Sequence, residues 1–473
     1  MSRARVAAAV VAIVVAVVIL PGPLSAAAMT PISTIPLAAV TRIDPPPLAN
    51  PAGSIAPAAS AIVPGSVNRT SLAIRATYAV AVRLAVAART LRGSVSITAR
   101  NDSGGGIDRL ELNSVMAPLG GLRLGTLTVD GVAVHPMIDD QTIVVPLGGV
   151  LPAGATTTVR VVFSATLRSS LTGSNWLFTR TNGIVDMYRW IPWISRRTPF
   201  ARPNHGDPFV TPVSPRVTLR ITTDTPMRFA STGARTSVSA DRLTTTFLAT
   251  SVRDLVLAAA PDYRTTSATV GDNRVVVYYR AGAPASALLA AATAALRKLE
   301  ARLGPYPYTT LKIVQTAGGY GMEGPGVAWI PSGVGSANPT YLVTHEVAHQ
   351  WFYGIVGNDQ AREPFADEAA TDFVARSVLG LRRASRCSST SLDKSIYRYS
   401  ATCYYEQVYI RGGNLLDDAR KRMGSTPFWA AIRRYLADHR WGLSHTRTLL
   451  DALDAATPQD LRTWWGPRFP NIY

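Results

Sequence analysis

Lysine is scarce in this chain. Only Lys298, Lys312, Lys394 and Lys421 stand among 48 basic residues, so the formal charge of +18 rests on arginine. The arginines are spread along the whole length. They lack the bunching and interleaved aromatics of a nucleic-acid-binding module, and no nucleic-acid partner is expected. Their field can still draw the chain toward anionic polymers or membranes. Cysteine is rarer, with Cys387 and Cys403 alone in 473 residues. Neither lies near the N-terminus, which excludes a lipid-anchored lipoprotein. Long apolar runs are also missing. The longest, Val6 to Leu20, has 15 residues, short of the roughly 20 a bilayer span needs. There is no repeat at solenoid periods. The glycine-rich stretch at 318–326 lacks the Gly-Lys-Ser/Thr ending of a phosphate loop.

An apolar fraction of 47% and a charged fraction of 16% describe a globular chain. Its length suggests two or three domains. Arg3 and Arg5, the apolar run and the small residues Ser25-Ala26-Ala27-Ala28 read as an export signal over 1–28, cleaved or kept as an anchor. A secreted or extracytoplasmic location follows, with membrane or cell-envelope association left open. Residues 29–67 are rich in Ala, Pro and Ser and hold no sustained period, as expected of a disordered tether. In an exported chain, Cys387 and Cys403 are a disulfide candidate; two buried free thiols are the alternative.

From 68 to 262 short β-prone runs alternate with turn signals, among them Tyr78–Leu84, Thr126–Val129 and Arg216–Ile221. This predicts an antiparallel β domain. From 263 to 473 the pattern turns helical. Helices are predicted over 285–303, 341–356, 364–379, 408–422, 426–439 and 446–456, with a strand at 310–315. The fold class is therefore α+β and multidomain.

The chemistry is concentrated in His345-Glu346-Val347-Ala348-His349. Positions i and i+4 share a helix face, so both imidazoles can reach one zinc ion. Glu346, one step round, can accept a proton from metal-activated water. Taken alone, the string is also compatible with two surface histidines. A third ligand is needed, and Glu368 follows 19 residues after His349 in a second helical pattern. Asp372, one turn later, could hydrogen-bond the outer nitrogen of a ligand histidine; ordinary surface charge is the alternative. His135, His205, His439 and His445 have no partner at metal spacing and read as structural or surface residues. In the glycine-rich stretch, Glu323 is a fixed acid where a backbone could approach a peptide closely, and it could pair with a free α-amine.

These residues resemble the zinc aminopeptidases of the membrane alanyl aminopeptidase family, in the gluzincin clan. The likeness is carried by His345-Glu346-Val347-Ala348-His349-Gln350-Trp351-Phe352 with Glu368 at ligand spacing. Tyr320-Gly321-Met322-Glu323-Gly324 corresponds to the family's G-A-M-E-N motif, and Tyr409-Ile410-Arg411-Gly412 to its Y-x-K-G. The resemblance implies zinc on His345, His349 and Glu368, with Glu346 as general base. It implies Tyr409 as oxyanion stabiliser, with Arg411 in place of lysine. Gly321, Met322 and Glu323 would bind a peptide or protein substrate. The β region would be a saddle-like domain and 263–473 a thermolysin-like catalytic domain, in a short form without the family's C-terminal helical domain. Aminopeptidase action is the expectation. A zinc endopeptidase on the same scaffold, an inactive binding protein and a cell-envelope adhesion module are the alternatives. The oligomeric state is not read from the sequence.

Overall fold

The computed structural model describes residues 61–70, 72–334 and 339–473. The expected export signal and most of the expected tether lie outside the described residues. Residues 61–67, assigned to that tether, are attached to the β region. Val63 bridges Val150, and the Asp108 carboxylate accepts from Ser66 Oγ at 2.7 Å and Asn68 N at 2.6 Å. Among the described residues no helix is long and apolar enough to cross a membrane.

Alternation dictates the first sheet. In Ile74–Ala85 the residues Ile74, Ala76, Tyr78, Val80, Val82 and Leu84 are buried, and Arg75, Ala79, Ala81 and Arg83 between them are exposed. A period of two gives a strand one core face. This strand is central to an eight-stranded sheet. It pairs antiparallel with Thr90–Asn101 and parallel with Val217–Thr223. The parallel pairing departs from the antiparallel expectation. The chain reaches Val217 only after building four other strands of this sheet, the whole of one four-stranded sheet and half of another, and such a crossover, unlike a hairpin, allows a parallel return. One four-stranded sheet contains Phe178–Thr181, Ile184–Met187, Arg228–Ser231 and Leu257–Ala260. The other contains Ile107–Asn113, Met137–Asp139, Thr142–Leu151 and Trp193–Ile194. One continuous apolar core lies beneath all three sheets.

A five-stranded sheet follows, in the order Arg264–Val270, Asn273–Tyr279, Thr310–Thr316, Val327–Pro331, Met322–Gly324. Its last strand is a hairpin partner of Val327–Pro331 and presents Glu323 at the sheet edge. Against this sheet packs α1, Ala285–Leu303, burying Leu288, Ala292, Leu296, Leu299 and Leu303 at intervals of three and four. Each large side chain buried this way stabilises the fold by about 1.5–3 kcal/mol. Further helices of this region are α2 (Thr340–Ala348), α3 (Ala370–Leu379), α4 (Gly413–Met423), α5 (Ser425–Asp438) and α6 (Thr446–Asp454), with a short helix at Leu461–Trp465. They share a second core with α1.

Three predicted helices differ instructively. The one expected over 341–356 stops at Ala348. Beyond it the chain folds back, with Tyr353 at φ 107°. Gly354 lies so close that a Cβ there would sit 2.4 Å from the Gln350 carbonyl oxygen. The helices expected over 364–379 and 408–422 each open with a wide π-helical segment, Phe365–Ala369 and Glu406–Gly412, before α3 and α4. Those segments carry Glu368 and Tyr409. They touch at Gly412, where a Cβ would come within 2.6 Å of the Ala369 Cβ. Inserted wide turns of this kind re-aim side chains and recur at functional sites.

Candidate metal centre and active site

His345 and His349 project from one face of α2 and its C-terminal cap. Their Nε2 atoms are 3.2 Å apart. Glu368 Oε2 lies 3.3 Å from His345 Nε2 and 3.5 Å from His349 Nε2. Ligands about 2.0–2.1 Å from one zinc ion at tetrahedral angles would be about 3.3 Å from each other. The three donors thus already stand at the spacing of one tetrahedral face. Glu368 Oε2 is buried with no well-formed hydrogen bond, as a metal ligand oxygen would be. Burial works against ionising Glu368, yet the two imidazoles hold its carboxyl well below the usual carboxylate range. The donor set therefore fits zinc.

The outer nitrogen of His349 is surrounded by acceptors. The Phe352 carbonyl is 3.1 Å from Nδ1, Thr371 Oγ1 is 3.2 Å away, and Asp367 Oδ1 is 3.1 Å away. Asp372, expected to bond the outer nitrogen of a ligand histidine, bonds neither ring, and His345 Nδ1 is buried without a hydrogen-bond partner among the described residues. The Asp372 carboxylate is taken by Arg376 Nε at 2.6 Å and by the Tyr341 hydroxyl. The physical reason is local: Arg376, one turn on in α3, holds Asp372 as an i,i+4 ion pair, while Asp367, in the π-helical segment ahead of α3, meets His349.

Glu346 faces the glycine-rich stretch. A Cβ on Gly321 would fall 2.2 Å from Glu346 Oε1, so the backbone passes directly against this carboxylate. Burial pushes the Glu346 carboxyl up, the His349 ring opposes this, and Glu323 and Glu368 add to it. Met322 is buried under the same strand. Donor atoms of Glu323, Glu346 and His349 all lie within 4.8 Å of one another. Glu323 Oε1 accepts from the Tyr188 hydroxyl at 3.1 Å and from Gln360 Nε2 at 3.0 Å, with Arg189 Nη2 3.7 Å away.

Tyr409 stacks on the His345 ring, with centroids 5.5 Å apart. Arg411 donates to the carbonyl of Cys387, which is joined to Cys403. The disulfide loop is thereby tied to the segment that carries Tyr409. A loop of the β region reaches the same place. Asn204 bonds the Ile396 carbonyl, and Gly206 packs so tightly that a Cβ would meet Tyr404 Oη at 2.8 Å. Asp207 is buried there; burial and then the charges of Glu323 and Glu368 push its carboxyl well up. His205 pairs with the exposed ring of Tyr320 at 5.0 Å. His439 packs on Tyr435 and His445 bonds Glu363, in keeping with structural roles.

Sequence reasoning brought His345, Glu346, His349, Glu368, Glu323 and Tyr409 together, and the structure does the same. It missed Asp367, Gln360, Tyr188, Arg189 and Asp207. Only Asp367, adjacent to Glu368, carried a local signal.

No family model matches the chain, and no curated protein matches it by sequence. Solved structures do resemble it in fold. An M1 zinc metallopeptidase from Deinococcus radiodurans is 20% identical, with a TM-score of 0.64 over 83% of this chain and 94% of the other. A glutamate-to-alanine mutant of an M1 zinc metallopeptidase from that organism, bound to a Tyr-Ser-Ala substrate, gives 0.65 at 20% identity over 85% and 96%. A two-domain M1 zinc metallopeptidase mutant bound to L-arginine gives 0.64 at 20% identity over 83% and 94%. The likeness is one of architecture across nearly the full length of those chains.

Proposed function

We propose that this chain is a zinc-dependent metallopeptidase that removes N-terminal residues from peptides. One observation carries the reading: three buried donors from two helical segments stand 3.2–3.5 Å apart, as one tetrahedral face requires. His345, His349 and Glu368 hold the ion. Zinc bound there supplies Lewis acidity, polarising a carbonyl and bringing the pKa of water to about 7.

The chain's own residues do the rest. Glu346 accepts a proton from the attacking water and returns it to the leaving amine. The Tyr409 hydroxyl, beside His345, donates to the developing oxyanion. Glu323 accepts from the substrate's α-ammonium, which places the first peptide bond at the reacting centre. Fold neighbours that bind free amino acids and a Tyr-Ser-Ala substrate support this choice of substrate. The same likeness supports reading 68–262 as the saddle-like domain and 263–473 as the thermolysin-like domain of the alanyl aminopeptidase type. Export, with residues 1–28 as signal or anchor, belongs to the proposal and is supported by the N-terminal pattern and the disulfide.

The test compares parent and Glu346→Gln proteins on alanine 4-nitroanilide and its N-acetylated form. The variant should bind one zinc per chain and lose nearly all hydrolysis. The parent should cleave only the free-amine substrate, and a chelator should stop it. Equal rates on both substrates would replace the exopeptidase reading with an endopeptidase. Absence of stoichiometric zinc would end the enzymatic reading.

A further inference from the structure

Gln360 lies just after the short strand Gly357–Asn358 and is 2% exposed. Its amide is fully used. Oε1 accepts from Arg189 Nη2 at 2.7 Å. Nε2 donates to Glu323 Oε1 at 3.0 Å and to Asp367 Oδ2 at 2.8 Å. An amide offers two N–H groups and one carbonyl. Arginine can only donate and ionised carboxylates can only accept, so this orientation alone satisfies all three neighbours. A flipped amide would set like against like at each contact.

The anchor of this amide is enclosed on several sides. The Arg189 guanidinium lies 4.4 Å from the Phe209 ring centroid and 5.2 Å from those of Tyr188 and Tyr353. It also donates to Thr211 Oγ1 at 3.0 Å. Both Arg189, at φ 42°, and Tyr353, at φ 107°, hold positive backbone angles. Side chains rarely adopt these angles, and they persist where the surroundings over-determine the chain.

We propose that Gln360 is a positioning residue that fixes two sites at once: the Glu323 carboxylate that accepts the substrate's α-ammonium, and the Asp367 carboxylate beside the outer nitrogen of His349. The inference rests on the zinc aminopeptidase reading and adds a coupling to it. One amide, braced by a caged arginine, sets the distance between amine recognition and metal support. Tyr188 supplies the internal control, because its hydroxyl bonds Glu323 whereas Asp367 is bonded by Gln360.

The experiment uses the full chain and first confirms that the parent binds zinc and prefers free-amine substrates. A parent that fails sinks the underlying reading. With that reading standing, Gln360→Met and Tyr188→Phe are compared by KM and kcat on alanine 4-nitroanilide. Zinc dissociation is read separately by competition with a metallochromic chelator. Gln360→Met should raise KM about tenfold, as a lost positioned contact does. It should also weaken zinc about 10- to 100-fold, as loss of an outer-layer partner does. Tyr188→Phe should raise KM by a similar factor and leave zinc affinity unchanged. If Gln360→Met fails to fold by circular dichroism, Gln360→Glu, which keeps the acceptor for Arg189 and loses both donors, reads the same two quantities. A change in KM alone, in zinc affinity alone, or in neither overturns the coupling. So does a Tyr188→Phe protein whose zinc affinity falls in step.

Discussion

Gly321→Ala is the sharpest single perturbation this site offers. A Cβ at 321 would stand 2.2 Å from Glu346 Oε1 and 2.7 Å from Leu342 Cδ1. Gly321 has no positive φ, so alanine suits the backbone itself. The clash falls on the far end of a flexible side chain. Restoring an ordinary contact of about 3.4 Å needs a shift of about 1.2 Å, the difference between 3.4 and 2.2 Å, and the Glu346 carboxylate is the part that gives way. That shift is cheap for the fold but costly for catalysis. A misplacement of about 1 Å in a reacting group can cost about 100-fold, or about 2.7 kcal/mol in the barrier. The expected protein melts close to the parent and binds zinc normally, since Glu346 is not a ligand. Its kcat on alanine 4-nitroanilide falls about 100-fold while KM changes little. A kcat within threefold of the parent would refute the placement of Glu346 as the base against this strand. Loss of zinc would show that the strain spreads into α2.

Two further predictions concern stability. Asp186 is fully buried, accepts from the Ala317 amide at 2.8 Å, and is pushed up to about 8 by burial. Against an unfolded value of about 3.9, the folded chain keeps a proton between about pH 4 and 8 that the unfolded chain releases. Stability from this group therefore falls as pH rises through that window, by up to about 1.4 kcal/mol per unit. Asp186→Asn cannot ionise, so its stability relative to the parent should climb from pH 5 to 8 in urea titrations; parallel profiles would refute the argument. The paired Cys387→Ser and Cys403→Ser chain opens a loop of sequence separation 16 and should lose about 3 kcal/mol by the loop-entropy model. Because Arg411 grips the Cys387 carbonyl, its kcat should fall as well, and a parent-like melting temperature would discount the bridge.

What could be read from the sequence was whatever chemistry is enforced within one turn of chain. Two imidazoles four residues apart on a helix must share a face, and Glu346 must then lie beside that face, whatever the tertiary fold. Glu368 was readable for a weaker reason, as an acid on the next helical pattern. Gln360, Tyr188 and Arg189 were not readable. Gln360 meets Arg189 across 171 residues, and Tyr188 meets Glu323 across 135. No local period records such a meeting. The exchange of Asp372 for Asp367 shows a subtler limit. On a regular α-helix through Glu368, Asp372 follows one turn later and its outward course toward a ligand histidine is reasonable. The π-helical turn at Phe365–Ala369 changes that geometry while leaving the apolar spacing of the sequence almost unaltered. Gly412 supplies the missing clue, because only a residue without a Cβ lets the second wide segment close on Ala369. The two wide turns, meeting at that glycine, bring both Glu368 and Tyr409 against His345, and the β-region loop around Asp207 adds a buried carboxyl that feels the charges of Glu323 and Glu368.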